Sequence, residues 1–156
     1  MANIEDSLEQ IMSIDGAIGA ALVDYKSGMT LGTIGGNRID MELAGAGTTE
    51  VVRAEKEIID QLKLDDRIED ILITLESQHH LIRVFHQNDN VFTYLVLDAE
   101  KSNLALARMQ LGEIDKELNI GIADNTDSDS DGQKESSRES SQRDSGSSTN
   151  RSTDRR

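Results

Sequence analysis

Gly16-Ala-Ile-Gly-Ala-Ala-Leu-Val-Asp24-Tyr-Lys-Ser-Gly28-Met-Thr-Leu-Gly-Thr-Ile-Gly-Gly36 reads as two short apolar strands, residues 17–24 and 29–34. A tight turn at Asp24 to Gly28 joins them, and Gly35-Gly36 breaks the second. Upstream, Ile4, Leu8, Ile11 and Met12 share one face of a helix over 4–13, with Glu5 and Asp6 suited to its first turn. Downstream, Asp40 is placed to cap a second helix that runs to about residue 62.

Three further strands follow. Residues 68–75 carry Ile71, Ile73 and Leu75 on one face. Residues 79–85 pair back through a turn near Glu76-Ser77-Gln78, and 91–97 pair again through Asn88-Asp89-Asn90. Turns this short make the pairs antiparallel. The last strand is largely apolar at both parities, so both its faces are covered. Ser102 is placed to cap a third helix with the stripe Leu104, Ala107, Leu111, Ile114 and Leu118. The expected architecture is one five-stranded antiparallel sheet with helices on both faces, an α/β (α+β) fold.

Composition narrows the chemistry. The chain has 156 residues, no Cys and a net charge of −14. Residues 1–122 hold 10 basic against 22 acidic side chains, a charge of −12. Such a surface repels phosphate backbones and anionic lipid, so neither nucleic acid nor a membrane is an expected partner. The acidic start lacks the basic region of a signal peptide, and no apolar run is long enough to span a bilayer. A soluble, cytoplasmic protein is expected. Residues 123–156 contain one Ala, no other hydrophobic residue and ten Ser. They cannot offset the entropy of ordering, which divides the chain into a folded domain, 1–122, and a disordered tail, 123–156.

No motif for catalysis, metal or cofactor accompanies these elements. Asp127-Ser-Asp-Ser-Asp-Gly132 begins like a calcium loop, but the twelfth position is Arg138 where the ion needs Glu. His79 and His80 are strand neighbours and face opposite ways, and His80 and His86 lie about 20 Å apart along a strand. Gly32-Thr-Ile-Gly35 and Gly45-Ala-Gly47 lack the Lys-Ser/Thr of a phosphate loop. Asp65, Asp66, Glu69 and Asp70 form a charged turn, and Arg83 is placed to pack its stem and send its head to an acid or to the rim.

The second helix is the odd element. Its polar face is Glu42, Thr49, Glu50, Arg53, Lys56, Glu57 and Asp60. Almost half its circumference is apolar or small, where one sheet contact needs an arc of only about 100°. The excess points to a second contact, most simply the same helix of another subunit; a helix deep in a monomer core has the same pattern. Gly45 and Gly47 each cost about 0.8–1 kcal/mol inside a helix, which close approach to a neighbour offsets. Glu55 falls inside the apolar arc and needs a partner or the rim.

This ordered set resembles the roadblock/dynein light chain family, in particular its bacterial and archaeal gliding-motility GTPase regulators. The resemblance rests on Gly16 to Met29, Glu42-Leu-Ala-Gly-Ala-Gly47, Ile68-Glu-Asp-Ile-Leu-Ile-Thr-Leu75, Tyr94-Leu-Val-Leu-Asp98 and Asn103-Leu-Ala-Leu-Ala-Arg108. It implies a profilin-like sheet with the central helix on one face and the terminal helices on the other. It also implies a dimer in which the second helices pack together and the strands at 68–75 meet edge to edge. The expected interface is Met41, Ala44, Gly47, Thr48, Val51, Val52, Ile59, Ile71 and Ile73. The family is non-enzymatic and needs no cofactor. The implied function is a dimeric regulator or scaffold of a small Ras-like GTPase, activating or localising it. The alternative is a structural adapter in a sensor-kinase, motor or cytoskeletal complex. A GTPase partner would be expected on the polar face of the helix, at Asn37, Arg38, Thr49, Glu50, Arg53, Lys56 and Glu57.

Deleting residues 123–156 should change stability by less than about 0.5 kcal/mol, because they hold almost no apolar surface. Thermal unfolding of the two forms checks this; a midpoint lower by many degrees would show that the tail docks.

Overall fold

The computed structural model describes residues 2–88 and 90–118. The Ser-rich segment and its calcium-loop-like stretch lie outside the described residues. Eight elements follow one another: α1 (Ile4–Met12), β1 (Ala17–Asp24), β2 (Thr30–Gly35), α2 (Met41–Gln61), β3 (Asp70–Thr74), β4 (Gln78–Val84), β5 (Val91–Asp98) and α3 (Leu104–Glu117). All pairings are antiparallel, and the strand order is β2-β1-β5-β4-β3. This is the expected α+β architecture. The last strand sits in the middle, between β1 and β4, and β2 and β3 form the two edges.

Alternation along the strands sends side chains into two cores. On one face Leu8 and Ile11 of α1 and Ala107, Leu111 and Ile114 of α3 pack on Leu22, Leu81, Phe85 and Leu95. On the other, Met41 and Val52 of α2 pack on Ala21, Val23, Ile82, Phe92, Tyr94 and Val96. Val91 to Leu97 are buried without a break, because β5 meets both layers.

Caps and turns follow from side-chain acceptors. Asn3 Oδ1 accepts from Asp6 N–H at 2.8 Å and Asp40 Oδ1 from Leu43 N–H at 3.0 Å. The cap of α3 is Asn103, which accepts from Leu106 N–H at 3.0 Å, not the expected Ser102. Asp98 explains the difference. Its carboxylate accepts from Glu100 and Lys101 N–H, and its carbonyl accepts from Ser102 N–H, so Ser102 still belongs to the turn. Gly36, at φ +103°, lets the chain leave β2 and fold back toward α2.

Two carboxylates, Asp70 and Asp115, tie α3 to the rest of the fold. Asp70 Oδ2 accepts from Arg108 Nε at 3.0 Å and lies 3.5 Å from Arg83 Nη1, so of its two expected destinations the Arg83 head takes the acid. Asp70 is therefore the half-buried first residue of β3, and not part of an exposed charged turn. Asp115, 3% exposed, accepts from His86 N–H at 2.7 Å and from Gln87 N–H at 3.3 Å. It pins α3 to the turn between β4 and β5.

Gly45 does not face another helix, contrary to expectation. A Cβ there would lie 3.0 Å from Ala21 Cβ and 3.0 Å from Val23 Cγ2, so this glycine lets α2 approach its own sheet. Gly45→Ala gains about 1 kcal/mol of helix propensity but overpacks the core at a cost of about 1–3 kcal/mol. A net loss of about 1 kcal/mol is expected by urea unfolding; a stabilised variant would contradict the tight packing.

Candidate functional site

The phase of α2 decides what the surface offers. Its sheet-facing stripe is Met41, Gly45, Thr48, Thr49 and Val52, all buried. These are mostly small residues, and Thr48 satisfies its hydroxyl by donating to Ala44 C=O at 2.7 Å. The larger aliphatics face outward: Leu43 is 70% exposed, Val51 41%, Ile58 46% and Leu62 63%. Gly47 lies in the same outward stripe, with nothing within 4 Å of where a Cβ would be.

This splits the expected interface set. Met41, Thr48 and Val52 belong to the chain's own core and have no surface left for a second copy. Ala44 is half-buried and packs against that core. Gly47 and Val51 are exposed. Leu43, Ile58 and Leu62 join the stripe and were missing from the expectation. A wide apolar arc does not tell which half meets the sheet; the small residues at 45, 48 and 49 carry that signal. Glu55 is exposed and bears no burial cost within the protomer.

α2 packs over β1, β2 and β5, leaving the β3–β4 half of that face with less cover. Ile71, Ile73 and His80 are only half-buried there. A groove separates Val51, Glu55 and Ile59 of α2 from Ile68 to Ile71. Beside it runs the open edge of β3. Val84 N–H donates to Glu69 C=O at 3.2 Å and Leu75 N–H to Gln78 C=O at 2.8 Å. Antiparallel pairing alternates, so residues 69, 71, 73 and 75 bond inward to β4. Asp70, Leu72 and Thr74 therefore direct their N–H and C=O groups off the edge.

The expected polar surface is also reshaped. Asn37, Arg38, Glu50 and Glu57 are exposed. Thr49 is not: it is 2% exposed, in van der Waals reach of the β1–β2 turn at Gly28, so the hairpin tip covers it. The tip brings Tyr25 onto the same flank. Lys56 Nζ lies 4.0 Å from the Tyr25 ring centroid and Arg53 Cζ 5.9 Å from it. Arg53 Nη1 also donates to Glu50 Oε1 at 2.6 Å. Tyr25 gave no periodic signal in sequence; its place follows from Asp24, whose carboxylate folds the turn through Lys26 N–H and Ser27 Oγ.

His80 sits on the α2 side of β4 with a defined hydrogen-bond chain. Its Nε2 is 3.2 Å from Gln78 Oε1 and its Nδ1 2.9 Å from the Tyr94 hydroxyl. Gln78 Oε1 only accepts, so the proton is on Nε2 and Tyr94 donates to Nδ1. Burial lowers the His80 pKa and raises that of Tyr94. Among the described residues, no group of three or more His, Asp and Glu side chains is placed to hold a metal. No helix among them is long and apolar enough to cross a membrane.

No family profile matches the chain, and no curated protein matches it in sequence. Solved structures do match in shape. A Roadblock/LC7 domain from Streptomyces avermitilis superposes with a TM-score of 0.64 at 8% identity, covering 74% of this chain and 94% of that one. MglB from Myxococcus xanthus gives 0.63 at 15% identity, covering 71% and 87%. The gliding protein MglB from Thermus thermophilus gives 0.55 at 18% identity, covering 72% and 88%. With its sheet order, its paired outer helices and its single central helix, the described domain has the roadblock-family fold.

Proposed function

We propose that this protein is a non-catalytic, dimeric regulator or scaffold of a small Ras-like GTPase. The observation that carries the dimer is the outward stripe Leu43, Gly47, Val51, Ile58 and Leu62 beside the open edge of β3. Fully burying one large aliphatic side chain is worth roughly 1.5–3 kcal/mol, and an unpaired strand edge calls for cover. A second copy supplies both. Antiparallel pairing centred on Leu72 uses all three outward-facing residues: Asp70 of one copy meets Thr74 of the other, and Leu72 meets Leu72. On the α2 side the same register sets Ile71 against Ile73. The two stripes then cross over this joint.

The GTPase assignment is supported by likeness in fold to MglB, a gliding protein, together with the sequence resemblance to gliding-motility GTPase regulators. The contact surface we assign is the flank of α2 outside the stripe, with Asn37, Arg38, Glu50, Arg53, Lys56 and Glu57. Tyr25 steadies Arg53 and Lys56 there. The protein would act by favouring one arrangement of the GTPase switch loops, without nucleotide chemistry of its own. The competing assignment, an adapter without a GTPase, predicts no nucleotide dependence in what it captures.

Gly47→Arg should leave the protomer folded, since the added side chain enters open space, yet abolish the dimer. Light scattering on parent and variant reads this; a monomeric parent at micromolar concentration would sink the dimer. For the partner, capture from native cells with GDP and with a non-hydrolysable GTP analogue should retain a GTPase in a nucleotide-dependent way. Arg53→Ala with Glu50→Ala, in a domain still dimeric, should weaken that GTPase by about 2 kcal/mol or more. Unchanged affinity would move the contact to the outer helices.

A further inference from the structure

We propose that self-association of this protein is acid-sensitive and that His80 is the group that senses the proton. The inference rests on the dimer of the proposed function and adds its regulation. In β4, His80 registers with Ile73 of β3 on one side and Val96 of β5 on the other. It is half-buried, on the part of the sheet that α2 of its own chain covers least. Pairing centred on Leu72 would bring Ile71 of the second copy next to Ile73, one strand from His80, and draw the two α2 stripes over this region. The imidazole then passes from partial contact with water to an apolar enclosure.

That enclosure suits the neutral ring and not the cation. With the proton on Nε2, Gln78 accepts and Tyr94 donates, and both ring nitrogens are satisfied without water. A second proton on Nδ1 would turn the Tyr94 hydroxyl from donor to acceptor and strand its hydrogen on a buried side chain. Among the described residues the polar partners of the ring are Gln78 and Tyr94, neither of them a carboxylate. On β5, Asp98 shares the face, but its Oδ1 is engaged by Glu100 and Lys101 N–H. On β3, Glu69 lies at the far end of the strand, beyond Ile71. On α2, Asp40 caps the helix and Glu42 and Glu55 are exposed. On β4 itself, His79 and Arg83 are on the opposite face. Burial already holds the His80 pKa below its ordinary value in the protomer, and deeper burial lowers it further. Protons therefore bind the protomer in preference to the dimer. As pH falls through the protomer's value, linkage draws the equilibrium toward the monomer.

The general acidity of the domain works the other way, since protonating its carboxylates relieves repulsion between two copies of charge −12 over residues 1–122. The test separates the two. Sedimentation of the full chain should show the dimer dissociation constant weakening by at least about tenfold between neutral pH and the most acidic pH at which the parent stays folded, the slope approaching two protons taken up per dimer lost. His80→Gln, neutral at every pH, should hold its affinity or tighten. Parallel curves for the two proteins, both dimeric at neutral pH, would overturn the role of His80 while leaving the dimer intact. A monomer at neutral pH would overturn both. Should His80→Gln fail to fold, proton NMR of the parent and of Gly47→Arg answers the same question. The His80 ring should titrate at lower pH in the dimer than in the monomeric variant, and equal values would refute the inference.

Discussion

Everything in this domain leans on β5 being apolar on both sides. Of its seven buried residues, Val91, Leu95 and Leu97 belong to one core and Phe92, Tyr94 and Val96 to the other, the seventh being Thr93. A strand of this kind is stable only between two neighbours and beneath two layers of helix. That requirement puts β1 and β4 on its flanks, sends α1 and α3 to one face, and leaves α2 alone on the other. A single helix cannot cover one face of five strands. The shortage of cover over β3 and β4 is thus a consequence of the architecture, and the half-buried Ile71, Ile73 and His80 are its visible result.

Much of this was legible in the sequence because it is encoded locally. Asn, Asp and Gly at turns and the short apolar runs between them mark the five strands to within a residue or two. Asp40 marks the start of α2 by its chemistry. The phase of α2 was not legible in the same way. Leu43, Val51 and Ile58 are the more hydrophobic side of the arc, yet Gly45, Thr48 and Thr49 meet the sheet. Close packing favours residues that fit, and only the opposing Ala21 and Val23 reveal that small ones are needed.

Long-range polar contacts were the other blind spot. Asp115 sits in a helix whose sequence carries charged residues on both sides of it, so nothing singles it out. Its role appears only when the turn after β4 arrives at the end of α3 with two N–H groups that need an acceptor. Tyr25 is similar: it stands in a turn, and it gains a partner when α2 brings Lys56 above its ring. On the polar face of α2, the hairpin tip that covers Thr49 and brings Tyr25 beside Arg53 comes from residues 20 or more positions away in the chain.

The central place of β5 also sets an order of events during synthesis. The β1–β2 and β3–β4 hairpins are local and close early, each with an edge awaiting a neighbour. Only residues 91–98, after about three quarters of the folded domain has been made, join them into one sheet. Until then the chain holds two separate ribbons with exposed hydrogen-bonding edges, the kind of species most exposed to wrong pairing. At a synthesis rate of about 5–20 residues per second, the gap between the end of β4 and the end of β5 lasts on the order of a second or more. Closure also joins β1 to a strand some 70 residues away, so its loop entropy makes it a slow step in refolding.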